Sequence, residues 1–250
     1  MNDRSPRPAG APEADALKGL ALGHEAAPAG HWDELRGEVS ASKADAARSI
    51  SAPWQRFLAP FLAPLDQTAQ THEATMNADL NTRMANLQRQ VRDNGITYNV
   101  YAAADQPQRP WSLDLFPLML GHADWQQIEA GVVQRMQLLE RIMADAYGPQ
   151  KLVLSGQLPA ALVQGHPAYL PAMHGVPPVG GRYLSLAAFD LARGPDGCWW
   201  LLSQRTQAPS GLGYLLDNRQ IVSRLFPQAF EALAVQRLAE TYRTLIDGIK

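Results

Sequence analysis

The sequence predicts a mixed α/β (α+β) protein in which helices surround a small sheet with a prominent antiparallel hairpin. Two long segments carry apolar residues at helical spacing. A run of β-branched and aromatic residues at 96–101 is typical of a strand. The turn sequence GPDG at 194–197 separates two apolar segments, as a hairpin loop does. Helices mixed with short strands and one clear hairpin favour this fold class.

The two long helices are predicted over 71–94 and 124–147. The apolar stripe of the first consists of Met76, Leu80, Met84, Leu87 and Val91. The stripe of the second consists of Trp125, Ile128, Val132, Met136, Leu139, Met143 and Ala146. Gly95 follows the first helix and Gly148-Pro149 follow the second, where such residues end helices. Each stripe is expected to face the core rather than a cofactor.

The remaining segments are shorter or less regular. Residues 1–30 are rich in Ala, Pro and Gly and are expected to be a disordered tail, which leaves 31–250 as the folded part. The segment 54–65 mixes aromatic residues with prolines, which predicts short, interrupted helical turns. Further helices are predicted over 211–218 and 231–249.

Composition sets limits on partners and location. The 250 residues include 22 basic and 24 acidic side chains, for a net charge of −2, so no nucleic-acid or anionic-membrane surface is expected. No apolar stretch approaches the roughly 20 residues of a membrane helix, and no signal peptide is recognisable, so a cytoplasmic location is expected. Cys198, the single cysteine, lies among apolar residues and is expected to be a buried thiol.

The hairpin register follows from the length assumed for its loop. If 194–197 form a four-residue loop, Arg193 pairs with Cys198, and Asp190 pairs with Leu201.

In that register one face of the hairpin is polar. Side chains alternate along each strand and cross-strand partners share a face, so Asp190, Ser203 and Arg205 project together. A merely solvated strand face is an equally good explanation of this pattern. Ser210 then precedes a predicted helix and is expected to be its N-cap, beside backbone N–H groups that suit an anion.

Other polar residues are weaker candidates. Arg109, Trp111 and Asp114 are interpreted as anchoring a buried loop rather than lining a substrate entrance. His166 and His174 lie in turns without a third ligand at zinc spacing and are interpreted as structural.

Four segments, taken in order, carry a family resemblance. They are GITYNVYAAADQPQRPWSLDLFPLML, DWQQIEAGVVQRMQLLERIMADAYGPQ, LVQGHPAYL and AAFDLARGPDGCWWLLSQRTQAPSGLGYLLDNRQIVSRLFPQAF. Over about 32–250 the chain resembles the N-terminal part of the circularly permuted type 2 ATP-grasp proteins, most of all the long versions fused to an alpha-E domain. The resemblance implies an ATP-dependent carboxylate–amine ligase that uses ATP and Mg²⁺.

The resemblance also implies roles for the hairpin residues. ATP-grasp hairpins hold Mg²⁺ with an Asp on the first strand and a Glu-x-Asn on the second, so Asp190 is the implied metal ligand. Ser203 and Arg205 stand where the Glu and the Asn would be. Because a guanidinium repels a cation, Arg205 is predicted to be a catalytic residue that binds a phosphate or carboxylate. The predicted phosphate- or substrate-binding residues are Ser203, Ser210, Gly211 and Arg219.

Lysine is scarce for an ATP-grasp protein. The lysines are Lys18, Lys43, Lys151 and Lys250, and none lies in a phosphate-loop pattern. In permuted ATP-grasp proteins the hairpin precedes the nucleotide lid, so the 250-residue chain alone is expected not to bind or turn over ATP.

The implied partners are the remaining ATP-grasp portion and an alpha-E domain, on the same or a separate chain, and a transglutaminase-like protein. The alternative is a non-catalytic binding module whose Arg205 recognises an anionic peptide or a partner domain.

Overall fold

The computed structural model describes residues 27–40, 50–62, 69–98 and 109–249. Its strands are β1 (Trp32–Asp33), β2 (Glu38–Val39), β3 (Thr97–Tyr98), β4 (Arg109–Pro110), β5 (Ala188–Arg193) and β6 (Trp199–Arg205). Its helices are α1 (Ala52–Leu62), α2 (Ala69–Asp93), α3 (His122–Ala146), α4 (Lys151–Leu154), α5 (Ala160–Val163), α6 (Leu212–Leu225), α7 (Pro227–Ala232) and α8 (Ala239–Ile249). Short 3₁₀ turns lie at Pro171–Met173 and Val179–Gly181.

The predicted mixed α/β fold class is confirmed. Within the described ranges, the strands form separate two-stranded antiparallel sheets, β1–β2, β3–β4 and β5–β6, instead of one small sheet. The hairpin β5–β6 is the longest of them, as expected. Of the predicted disordered tail, only residues 27–30 are described, and the rest lies outside the described residues.

The two long helices form close to where apolar spacing predicts them. α2 covers Ala69–Asp93 and is followed by Gly95 at φ +64°, a left-handed conformation that glycine adopts readily at helix ends. α3 covers His122–Ala146, and its stripe buries Ile128 and Ala146. Both helix ranges are confirmed to within a few residues. The expectation that the α3 stripe faces the core is met only in part, because Trp125 is 43% exposed and the described core cluster contains no residue of α3.

The prediction of short, interrupted helical turns over 54–65 is wrong as far as residue 62, and residues 63–65 lie outside the described residues. α1 runs continuously over Ala52–Leu62 with Pro60 inside it. Trp54, Phe57 and Leu58 form its buried face, and they are no more than 9% exposed. Burial of this aromatic face against the core outweighs the local cost of proline near the end of the helix.

The C-terminal helices also differ from prediction. α6 extends to Leu225, beyond the expected end at 218, because Ile221, Val222 and Leu225 are buried. The single helix expected over 231–249 is instead divided into α7 and α8. The break lies at Ala234, which has φ +48°, where the Val235 N–H donates to the Phe230 carbonyl in a helix-terminating pattern.

The hydrophobic core joins α1 and α2 to the α6–α7 corner. Phe57 and Phe226 pack with ring centroids 4.8 Å apart. The Arg83 guanidinium lies over the rings of Phe61 and Phe226, at 5.0 and 5.2 Å. Arg83 also donates to the Leu225 carbonyl. These contacts fix the direction in which the chain leaves the hairpin through α6.

Two further contact groups hold the segments that flank the hairpin. Trp111 stacks on Tyr214 with ring centroids 4.5 Å apart and donates to Asn218, which supports the interpretation of Trp111 as a loop anchor.

On α3, the Glu140 carboxylate accepts from the backbone N–H groups of Tyr183 and Leu184, at 2.7 and 2.8 Å. The chain therefore approaches β5 along α3.

No helix among the described residues combines the length and the apolar character needed to cross a membrane.

Candidate functional site at the hairpin

The register of the hairpin differs from the predicted one. Arg193 pairs with Trp199, not with Cys198, because the connecting loop takes five residues instead of four. The Gly194 N–H donates to the Cys198 carbonyl at 2.8 Å, and the Asp196 carboxylate accepts from the Cys198 N–H at 3.0 Å. These bonds close the wider turn.

A β-bulge then displaces the register a second time. The ladder pairs Leu191 with Leu201 and Asp190 with Ser203, so Leu202 is the extra residue. Without the bulge, Asp190 would oppose Leu202, and Ser203 and Arg205 would lie on the opposite face of the hairpin. The extra turn residue and the extra bulge residue each shift the side chains to the opposite face of the hairpin, so together they restore the original face. For this reason the predicted shared face is correct although the predicted register is wrong.

The three polar side chains form one hydrogen-bonded cluster. Arg205 Nη1 donates to Asp190 Oδ2 at 2.7 Å, and Arg205 Nη2 donates to Asp190 Oδ1 at 2.8 Å. The Ser203 hydroxyl donates to Asp190 Oδ2. The Arg205 side chain is 56% exposed and that of Asp190 is 46% exposed. The cluster is therefore a bidentate pair on an open surface, accessible to a ligand from solvent.

The cluster keeps Asp190 ionised. Hydrogen bonding from Arg205, followed by hydrogen bonding from Ser203 and the positive charge of Arg205, lowers the pKa of Asp190 from 3.8 to about 2. At neutral pH the cluster is thus a carboxylate paired with a guanidinium.

The donor set does not fit Mg²⁺ in this arrangement. Both Asp190 oxygens accept hydrogen bonds from Arg205, and a guanidinium beside the carboxylate repels a cation. Within the part of the chain that the structure describes, no group of three or more His, Cys, Asp or Glu side chains is placed to hold a metal. The assignment of Asp190 as a metal ligand remains a prediction that requires Arg205 to move away.

The helix that follows the hairpin is capped differently from expectation. Gly211, not Ser210, is the N-cap residue of α6, and it makes no side-chain hydrogen bond because it has no side chain. Gly211 has φ +122°, a conformation that serine rarely adopts. The prediction of Ser210 as N-cap is wrong, whereas binding roles for Ser210 and Gly211 remain predictions.

Arg219 makes its contacts away from the hairpin. Its Nη1 donates to the Gln236 carbonyl at 3.2 Å, and its guanidinium lies 5.6 Å from the centre of the Phe230 ring. Burial lowers its pKa below the usual value. Arg219 therefore holds the connection between α7 and α8, and its predicted substrate role stays a prediction.

Cys198 is exposed, so the expectation of a buried thiol is wrong. The five-residue turn places Cys198 in the loop instead of in the strand, where its apolar neighbours had suggested burial.

A second cluster at the hairpin tip was not predicted. The Arg193 guanidinium lies over two indole rings, 4.3 Å from the centre of Trp32 and 4.5 Å from that of Trp199. Arg193 Nη2 contacts Asp124 Oδ1 at 2.5 Å, and Trp199 Nε1 donates to the same oxygen at 3.3 Å. We call these four residues the Arg193 clamp. Arg193 and Trp199 are cross-strand partners in the hairpin, whereas Trp32 and Asp124 come from distant parts of the sequence, and no motif spacing signals those two.

Comparison with known proteins identifies the family. The sequence model for "Circularly permuted ATP-grasp type 2" matches residues 117–250, more than half of the chain. The chain belongs to this family.

Three relatives illustrate the similarity. An uncharacterized protein of Mycobacterium tuberculosis is 40% identical over 149 residues, which are 56% of this chain and 17% of that protein. An uncharacterized Synechocystis protein is 31% identical over 142 residues, which are 57% of this chain and 30% of the relative. A second M. tuberculosis protein is 28% identical over 206 residues, which are 82% of this chain and 35% of the relative. The chain therefore matches between about a sixth and a third of the length of these relatives.

Proposed function

We propose that this chain supplies the hairpin part of an ATP-dependent carboxylate–amine ligase. In such a reaction a carboxylate takes the terminal phosphoryl group of ATP to form an acyl phosphate and ADP. An amine then attacks the acyl carbon, forming the amide and releasing phosphate. The chain would contribute an anion-binding side chain, while the residues that clamp the nucleotide would come from the remaining ATP-grasp portion.

The observation that carries the proposal is the position of Arg205 in the hairpin cluster. Arg205 is fixed by two hydrogen bonds to Asp190 and is more than half exposed. A guanidinium that is oriented in advance stabilises negative charge developing on a phosphoryl group or carboxylate. Family membership supports the same class of reaction, because ATP-grasp proteins generally use ATP.

Arg205→Ala tests the proposal in a polypeptide that continues through the remainder of the ATP-grasp domain. We expect the rate of ADP formation from ATP to fall about a hundredfold, as when one oriented contact to a transition state is lost. The melting temperature should change little, because exposed ion pairs contribute little to stability. Arg205→Lys should recover part of the rate, since lysine keeps the charge but loses the bidentate fork.

Arg89→Ala is the matched control, because Arg89 is also exposed and donates to a neighbouring side chain, that of Asn86 on α2. It should leave both rate and melting temperature unchanged. A steep fall in the melting temperature of Arg205→Ala, with a proportionate loss of rate, would show that Arg205 is structural and would defeat the proposed role.

A second candidate function is non-catalytic recognition of an anionic peptide. A groove of about 810 Å³ lies between α3 and the other face of the hairpin, and its lining includes Arg135 and Arg141 but no acidic residue. The hydrogen bonds from Arg205 to both oxygens of Asp190 also favour this alternative, because they occupy the oxygens that would bind Mg²⁺ in a ligase. Binding of an acidic peptide that Arg135→Glu abolishes, together with no ADP formation by the extended polypeptide, would establish it.

By resemblance, the proposed partners are the remaining ATP-grasp portion and an alpha-E domain, on the same or a separate chain, and a transglutaminase-like protein. The proposed location is the cytoplasm.

A further inference from the structure

We propose that the segment Ala27–Ser40 is a positioning element that docks on the hairpin tip through the Arg193 clamp. The segment lies outside residues 117–250, which match the family. It nevertheless contacts the tip of the hairpin β5–β6, which lies within the matched residues. A Cβ added to Gly197 would lie 2.8 Å from Trp32 Cζ3, so the backbone of the tip packs directly against the Trp32 ring.

Hydrogen bonds and a buried ion pair hold the segment together next to Trp32. Asp33 Oδ1 accepts from the backbone N–H groups of Leu35 and Arg36, each at 3.0 Å. Arg36 Nη1 binds Asp33 Oδ2 at 2.7 Å, and both side chains are at most 5% exposed. The Ser51 N–H donates to the Leu35 carbonyl at 2.7 Å, which joins the segment to the residue before α1. Trp32 is therefore attached to α1, one of the helices of the core, through the Leu35–Ser51 hydrogen bond beside the buried Asp33–Arg36 pair.

The clamp holds the hairpin from two sides. Trp32 covers one side of the Arg193 guanidinium, and Asp124, in the first turn of α3, binds its Nη2. The Arg193 side chain is only 10% exposed. An isolated two-stranded hairpin is marginally stable at best in water. The orientation of β5–β6 relative to α3 therefore depends on contacts such as those of the Arg193 clamp. Desolvated cation–π contacts are stronger than exposed ones.

The same strand connects the clamp to the hairpin cluster. Arg193 and Asp190 both belong to β5 and lie about 10 Å apart along it, at about 3.3 Å per residue. Rotation of the tip would therefore displace Asp190 and, through the bidentate pair, Arg205. That this displacement matters for catalysis rests on the proposed function; the docking of the segment does not.

Cys198 provides a direct measurement of docking. It is exposed, it is adjacent to Gly197, and it is the single cysteine of the chain, so a nitroxide label attaches there without any other substitution. We expect Trp32→Ala to increase the mobility of the label severalfold in the electron paramagnetic resonance spectrum of the 250-residue chain. Trp32→Phe should recover much of the restraint, because phenylalanine keeps an aromatic face for the guanidinium.

Trp125→Ala is the matched control, since Trp125 neighbours Asp124 on α3 but is 43% exposed and is outside the clamp. It should leave the label mobility unchanged. Unchanged mobility in a folded Trp32→Ala chain, or an equal increase with Trp125→Ala, would overturn the proposal. If Trp32→Ala does not fold, Arg193→Lys serves instead: it keeps a charge for Asp124 but loses the planar stacking, and should give intermediate mobility.

The catalytic consequence is measured separately in the extended polypeptide. Trp32→Ala should lower kcat for ADP formation and leave KM for ATP unchanged, because it misplaces Arg205 without touching the nucleotide. Unchanged kcat with a mobile tip would overturn the positioning role. An Arg205→Ala variant with an unchanged rate, beside a Trp32→Ala variant with a mobile tip, would defeat the proposed function and leave the docking of Ala27–Ser40 established.

Discussion

Arg205 ends a strand whose first residues are apolar. Its pairing with Asp190 on the neighbouring strand explains why an arginine occurs at this position. The bulge at Leu202 places Arg205 on the same face as Asp190, and the two side chains form a bidentate pair. In this position the arginine cannot share a metal with Asp190, but it can present a fixed positive charge to an anion. By resemblance, Ser203 and Arg205 stand where ATP-grasp hairpins carry metal ligands, and we expect this hairpin to attract an anion in place of the cation.

The pKa of Asp190 is a residue-scale test of this pairing. The folded-state pKa of about 2 lies below the ordinary value of 3.8, so the pair stabilises the fold above about pH 4, and this contribution is lost as pH falls through 2. In a carboxyl-carbon NMR titration we expect a midpoint near 2. Arg205→Ala should raise the midpoint most and Ser203→Ala should raise it less. A midpoint near 3.8 in the unsubstituted chain would show that the pair does not form in solution.

At the scale of the element, the hairpin depends on its tip. Gly197 has φ +76° and lies against the Trp32 ring, so a side chain there meets both backbone strain and a steric conflict. The turn therefore determines the register of the strands and also the approach of the segment Ala27–Ser40.

Gly197→Ala should destabilise the protein by about 1–3 kcal/mol, the usual range for a residue forced into a sparsely populated conformation. Gly131→Ala, in the middle of α3, meets no atom within 4 Å and should stabilise by about 0.5–1 kcal/mol, since alanine favours the helix. Urea unfolding of both variants measures the difference. Equal midpoints for the two variants would contradict the described contact between the tip and Trp32.

At the scale of the whole molecule, the hydrophobic core and the candidate site occupy different parts of the structure. The core comes from α1, α2 and the α6–α7 corner, whereas β5–β6 leaves Trp200 at 58% and Leu202 at 66% exposure. Large exposed apolar side chains beside a functional cluster are typical of a surface that other protein elements cover. This arrangement supports the proposal that other parts of an ATP-grasp domain cover the hairpin.

The 250-residue chain by itself is expected not to bind ATP at micromolar concentration or to release ADP. The physical reason is the absence of a lysine-bearing phosphate-loop pattern from the sequence, together with the engagement of Asp190 by Arg205. Titration calorimetry with ATP and Mg²⁺ checks the binding. Micromolar affinity would show that these residues suffice for a nucleotide site, contrary to the proposal.

The sequence alone determined the fold class and the two long helices, because these follow from local periodicity. The shared polar face of the hairpin was predicted correctly only because the five-residue turn and the bulge at Leu202 offset each other. It also carried the resemblance to the permuted ATP-grasp proteins. Only the tertiary structure decided the loop length, the bulge at Leu202 and the N-cap at Gly211. At each of these places the local sequence is compatible with more than one backbone conformation. The Arg193 clamp joins Trp32 and Asp124 to the hairpin across long separations in sequence. Such contacts arise from packing in three dimensions, and no local pattern encodes them.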